Sequence, residues 1–289
     1  MKSTIAVLFA AVLAAFSQIA LAQPAAVVEG VQMPAWVDRS GERKALAVGM
    51  ELKTGDTVRT GAGSRALVKF SEGSLVKLGE NASLAITDIN ADSGGIFKAA
   101  LRVAEGAFRF TTDLLQKARR REVSVRVATV TAGIRGTDFW GKSAPDRQVV
   151  CLIEGAIEVG ADGEKPALMD QSRQFYRREK GQTQPIGFVE AAQLGQWAME
   201  TDIEAGKGAA RRGGKWKVRL ATADTQAAAL AVYDAARDAG YATEIRPAWV
   251  NEKQVYHVRI ANLPSKAEGE MLAASLRGRF GPAEPRVTN

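Results

Sequence analysis

The strongest constraint on this 289-residue chain is a short pattern that repeats through residues 55–86, "GDTVRTGAGSRALVKFSEGSLVKLGENASLAI". The apolar pairs Val68/Phe70, Val76/Leu78 and Leu84/Ile86 follow one another at intervals of eight residues. Within each pair the spacing is two, the period of a strand with one buried face. Ser71-Glu72-Gly73 and Gly79-Glu80-Asn81 separate the pairs and are turn chemistry. The stretch therefore reads as short strands joined by tight turns, all turning one face inward. The pattern continues in "LRVAEGAFRF" (101–110), read as two short strands around Glu105-Gly106, and in "EVSVRVATV" (122–130). "QVVCLIEGAIEV" (148–159) is another strand, turn and strand around Glu154-Gly155. Many short strands with frequent turns predict an all-β N-terminal domain over residues 28–180, a rolled sheet or a sandwich. The basic run "KARRR" (117–121) within it reads as a solvated loop.

The chain is long enough for two domains. Its formal charge of +7 and pI near 9.6 point to acidic partners such as nucleic acid, anionic lipid or an anionic polymer. The first 22 residues choose among these. Lys2 is a positive head, an apolar run extends from Ile5 to Phe16, and Ala20-Leu21-Ala22 is a cleavage site. That run is short of the ~20 residues a membrane span needs, so residues 1–22 read as a secretory signal peptide. No cysteine follows the site to carry a lipid, and no later segment is apolar enough to span a membrane. The expectation is an exported, periplasmic protein with no membrane span after cleavage and no nucleic-acid partner. One cysteine, Cys151, and one histidine, His257, allow neither an internal disulfide nor a Cys/His zinc site, and no cofactor or metal is expected. Cys151 lies in an apolar run and reads as a small buried hydrophobe.

The composition changes after residue 180. Residues 181–213 read as a short helix with Val189, Ala192, Trp197 and Ile203 partly on one side, then a flexible linker rich in glycine and charge, "GKGAARRGG". Residues 214–289 read as strand, helix, strand, strand, helix, strand. The first helix opens on Asp224 and closes on Gly240, with Leu230, Tyr233 and Ala236 along one face. The second begins with the capping box Ser265-x-x-Glu268 and runs to Gly281. The order β-α-β-β-α-β predicts an α+β, ferredoxin-like domain with both helices on one sheet face and the other face open.

Two stretches resemble known families. Residues 55–86, with "VATVTAGIRGTDFW" (127–140) and "VVCLIEGAIEV" (149–159), resemble the periplasmic FecR-type domain, including Gly136-Thr137 and Glu154-Gly155. That resemblance implies an all-β envelope domain. The founding members signal through a membrane helix to a cytoplasmic region absent here, so the ligand of this domain stays open. "WKVRLAT", Tyr233 with Gly240-Tyr241-Ala242, and "VYHVRIANLPSKAEGEMLAASL" resemble a SPOR domain. This resemblance implies binding to peptidoglycan glycan strands stripped of their peptides, which gathers such modules at division septa. A Gln common on that family's first strand is Arg219 here, and a Gly-Pro after its third strand is Asn262-Leu263. Both departures lie near the implied glycan face, where affinity or preference would differ.

Alternation assigns the faces independently of the family. Trp216, Val218, Leu220, Tyr256, Val258 and Ile260 face the helices, Val255 points outward, and Lys217, Arg219, His257 and Arg259 gather on the open side. Arginine and lysine suit the lactyl carboxylate that a stripped glycan exposes. Trp249 either stacks on a sugar or caps the sheet edge or the core. No motif pairs two carboxylates for glycan hydrolysis and His257 joins no Ser-His-Asp set, so no enzyme is expected. The strand and helix order is also that of an RNA-binding module, but Trp216 and Tyr256 have inward parity and the chain is exported. The expected function is a periplasmic peptidoglycan-binding protein whose FecR-like part contacts a second partner, an envelope protein or glycan. The competing expectation is an envelope sensor or adaptor that scaffolds a protein without binding glycan.

Overall fold

A computed structural model of the chain describes residues 24–91, 96–112, 120–134 and 136–289. The expected leader, residues 1–22, and most of the basic run 117–121 lie outside the described residues.

The first four strands are β1 (Ala26–Gln32), β2 (Ala35–Arg39), β3 (Glu42–Ala45) and β4 (Glu51–Leu52). The repeated pattern forms β5 (Thr57–Thr60), β6 (Arg65–Phe70), β7 (Leu75–Leu78) and β8 (Ser83–Ala91). Then come β9 (Ile96–Thr111), β10 (Arg120–Val127), β11 (Val130–Ile134), β12 (Asp138–Ala144), β13 (Arg147–Glu154) and β14 (Ile157–Ala161). Strands β15 (Ala167–Met169), β16 (Gln174–Glu179) and β17 (Gln182–Phe188) complete this run. The pairs Val68/Phe70, Val76/Leu78 and Leu84/Ile86 are all buried, as their spacing requires.

The segment 101–110 departs from the expected two short strands. Both halves belong to β9, a single strand of 16 residues. Its first half pairs with β8 and, in parallel, with β10; its second half pairs with β7 and β12. The strand bends at Gly106, where φ is +83° and a Cβ would stand 2.5 Å from Ala82 Cα. Two layers meet at this strand. One runs β1-β6-β7-β9-β12-β13-β16-β17, and the other β3-β2-β5-β8-β9-β10-β11-β14-β15. Val28, Val68, Phe108 and Leu152 of the first layer share one core with Val58, Leu84, Val103 and Val159 of the second.

The sheet also extends beyond residue 180. Lys180 and Gly181, both at positive φ, turn the chain from β16 into β17. β17 is polar because it is an edge strand with little to bury. Helix α1 (Ala191–Met199) follows, and its Trp197 stacks on Trp140 at 4.8 Å with the planes 8° apart. Beneath this pair Cys151 is fully buried, and burial pushes its thiol up to about 12, so it stays protonated and unreactive at neutral pH. The segment read as a flexible linker instead carries β18 (Ala210–Arg211), which pairs with Gly30 and Val31 of β1.

The separate C-terminal sheet holds β19 (Trp216–Ala223), β20 (Thr243–Val250), β21 (Lys253–Leu263) and β22 (Arg286–Thr288), in the order β20-β21-β19-β22. Helices α2 (Gln226–Asp238) and α3 (Lys266–Ser275) supply Ala236 and Leu272, and Leu276 at the end of α3 joins them, in a core with Val218, Leu220 and Ile260. Thr225 rather than Asp224 caps α2, its side chain accepting from Ala228 N. Ala229 and Ala236 are the buried residues of α2, while Leu230 is largely exposed, because small side chains let the helix approach the sheet. Helix α3 stops at Ser275, short of the expected Gly281. Among the described residues no helix is long and apolar enough to cross a membrane.

Gly106→Ala should destabilise the chain by about 3 kcal/mol, from a strained positive φ and an overpacked crossing at Ala82. Urea unfolding of the variant beside wild type measures this; an unchanged midpoint would mean that β9 does not need the bend.

Candidate functional site

The open face of the small sheet is built by backbone register. Glu244 of β20 pairs with Arg259 of β21, Arg259 pairs with Arg219 of β19, and Arg219 pairs with Arg286 of β22. At ~4.8 Å per strand this row of four charged side chains crosses the sheet in about 14 Å. The neighbouring row runs Arg246, His257, Thr222. Thr222 reaches its place through a bulge between Arg219 and Ala221. The extra residue there, Leu220, stays in the core, and every side chain beyond it changes face. A groove of about 240 Å³ opens beside this row, lined among others by Arg219, Thr222, Glu284 and Arg286.

The charges on this face are not equivalent. Arg259 Nε donates to Glu244 Oε1 at 2.7 Å, and Arg246 Nη2 donates to Glu244 Oε2 at 2.7 Å. Burial works against ionisation of Glu244, yet the hydrogen bonds from Arg246 and Arg259 outweigh it and hold the carboxyl below its ordinary range. Arg259 is thus pinned. Among the described residues Arg219 and Arg286 have no carboxylate partner, so their guanidinium groups remain available to an anion. His257 Nδ1 lies 3.0 Å from Thr222 Oγ1. Burial, then the positive charges of Arg219 and Arg259, push its imidazole below the ordinary 6.5. It is therefore neutral at pH 7.

Of the five residues expected at this site, Arg219, His257 and Arg259 come together. Lys217 lies one register step away, opposite Thr288 of β22, with Nζ donating to the Lys215 carbonyl at 3.1 Å. Trp249 does not join them. It lies inside β20 opposite Gln254, so it shares the parity of Ile245 and Pro247 and belongs to the helix side. It is 73% exposed near the hairpin end and stands on the far face from the arginine row. Arg286, Glu244, Arg246 and Thr222 were missed. Arg286 had a signal: Val287 is the apolar residue of the last strand, which sends its neighbours outward. Thr222 had none, because alternation does not reveal a bulge.

A family model described as FecR protein matches residues 56–158, and one described as SPOR domain matches residues 212–284. Their order from N to C terminus is the one the two resemblances imply. Two crystal structures described as a "putative anti-sigma factor from Parabacteroides distasonis ATCC 8503" align at 15% identity over 80% of this chain. They are covered to 98% and 96%, with TM-scores of 0.39 and 0.38. No curated protein matches the chain.

Because the chain has one histidine, an NMR titration of imidazole resonances reads His257 alone. The midpoint should lie below 6.5 and rise toward it in Arg219→Ala, which removes one of the two like charges. Between the ordinary and the lowered value the unfolded chain binds a proton that the folded chain refuses. The contribution of His257 to stability therefore falls as pH drops through that window. A midpoint unmoved by Arg219→Ala would show that this guanidinium exerts no field on the imidazole.

Proposed function

We propose that this protein binds peptidoglycan through its C-terminal domain, reading glycan strands whose stem peptides have been removed. The observation that carries the reading is the row Arg219, Arg259 and Arg286 on one sheet face, the first two within the segment 212–284 that matches a SPOR domain and Arg286 just beyond it. A stripped strand presents a lactyl carboxylate at every muramic acid. Two arginines without a carboxylate partner among the described residues and a third held in place by Glu244 offer forked donors to such a series. Neutral His257 and Thr222 add hydrogen-bonding groups for sugar hydroxyls. The strand order β20-β21-β19-β22 with both helices packed on one face supports a ferredoxin-like fold for this domain.

In this reading the chain comprises a leader (1–22), a FecR-like β domain (28–180) whose sheet runs on through β17 to Phe188, a connecting segment up to residue 213 that adds β18 to the same sheet, and the SPOR-like domain (214–289). The protein works in the periplasm, where stripped strands at a dividing septum would concentrate it. Its role is binding, not catalysis. The β domain carries a second contact, with an envelope protein or with glycan.

The test is retention of the chain from residue 23 onward on purified peptidoglycan, before and after an amidase removes the stem peptides. The whole chain is needed because Met33, Val48 and Ala210 pack against the C-terminal core. Retention should rise on stripped wall and fall about tenfold or more in Arg219→Ala/Arg286→Ala, at ~1.5 kcal/mol or more per charged hydrogen bond. Full retention of a folded double variant would move the contact elsewhere. No retention of the wild type on either wall would leave an adaptor without glycan binding.

A further inference from the structure

The C-terminal domain is seated on the β domain at two anchors. At the first, α2 ends and Gly240 takes φ +85° against Trp36 and Pro34. A Cβ on Gly240 would stand 2.6 Å from Trp36 Cε2 and 2.9 Å from Pro34 Cβ. Around this contact Ala35 N donates to the Gly240 carbonyl at 3.0 Å, and Trp36 Nε1 donates to the Asp238 carbonyl at 3.1 Å. Carbonyls that a helix end leaves without partners are thus satisfied by the other domain.

The second anchor is Glu268 in the first turn of α3. Ser265 caps that helix, accepting from Glu268 N. The Glu268 carboxylate reaches out instead of back. Oε1 accepts from Gly206 N at 2.6 Å, and Oε2 accepts from Gly208 N at 2.6 Å and Ala209 N at 3.2 Å. One charged side chain therefore collects three backbone donors of the segment between the domains, a strong form of hydrogen bonding. That segment continues into β18, which pairs with β1, so it is held from both sides. Gly208 lies so close to Leu272 of α3 that a Cβ would come within 2.8 Å.

We propose that the C-terminal domain is itself the docking partner of this edge of the β domain, and that Gly240 and Glu268 form a clasp that makes the two domains one body. The clasp uses the helix side of the C-terminal domain. The arginine row lies on the opposite face; its Glu244 end borders the cleft between the domains beside Met33 and Val48, while Arg219 and Arg286 line a separate groove. The inference is independent of what the arginine row binds.

Trypsin tests it on the chain from residue 23 onward, because Lys207, Arg211 and Arg212 lie in the clasped segment. Mass spectrometry follows cuts at these three positions. The wild type should resist cleavage there. Glu268→Ala, which removes the acceptor of three donors, and Gly240→Val, which drives a side chain into Trp36, should each speed these cuts at least tenfold. Should Gly240→Val not fold, Trp36→Ala empties the same contact. Ser265→Ala weakens the cap of α3 without touching the segment and should cut at close to the wild-type rate. Wild-type rates in the folded clasp variants, or equal release by Ser265→Ala, would overturn the proposal.

Discussion

The absence of a side chain at Gly106 lets one strand serve two sheets. Strand β9 passes from one layer to the other where it crosses Ala82, at a separation no Cβ would tolerate. On each side of that bend its residues alternate into the shared core, Leu101 and Val103 before it, Phe108 and Phe110 after it. The same device recurs at the next crossing. A Cβ on Gly155 would stand 2.4 Å from the Gly136 carbonyl, and Thr137 Oγ1 donates to the Ala156 carbonyl beside it. Close backbone crossings of this kind turn a series of hairpins into two packed layers, and they leave the β1 and β2 region free to receive the rest of the chain.

The small domain divides its two surfaces between two tasks. The end of α2 and the first turn of α3 meet the β domain and the segment leading from it, where a helix-end carbonyl and the Glu268 carboxylate find partners. Its strands present charge to solvent. The bulge at Leu220 reconciles these demands within one strand: the leucine remains in the core, while Thr222 reaches the open face beside His257. A strand without the bulge would put Ala221 there and bury a hydroxyl. Glu244 lowers the net charge of the row but also orders it, holding Arg259 and Arg246 in fixed positions.

Much of this was legible in the sequence because it depends on local period. Val68/Phe70 and its successors gave the strands, Gly155 a turn, Ser265 a cap, and Val218 with Ile260 the inner face. What escaped depends on pairing between distant segments. The continuity of β9 was hidden because Glu105-Gly106 has the composition of a turn, whereas in the fold it is a bend within one ladder. The hairpin β16 to β17 was hidden because an edge strand needs no apolar face. Glu268 was legible as half of a capping box, but nothing local announces that its carboxylate serves residues 206–209. Trp249 was placed by its chemistry, and its parity within β20 put it on the other face.

The net charge of +7 does not by itself locate a binding face, because many arginines here are structural. In the β domain Asp38 receives hydrogen bonds from Arg43 and Arg59, and the Arg43 bond above all, against some desolvation, brings its carboxyl down to about 2. Arg39 forks onto buried Asp56, and Arg109 forks onto Asp138 between neighbouring strands. Each of these cations is neutralised by a carboxylate of the β domain itself. On the small sheet the pairing runs out: Glu244 serves two arginines, and two more stand in the same register without a carboxylate among the described residues. What sets this strand face apart is that two arginines without a carboxylate stand in one backbone register beside a third that is held by Glu244.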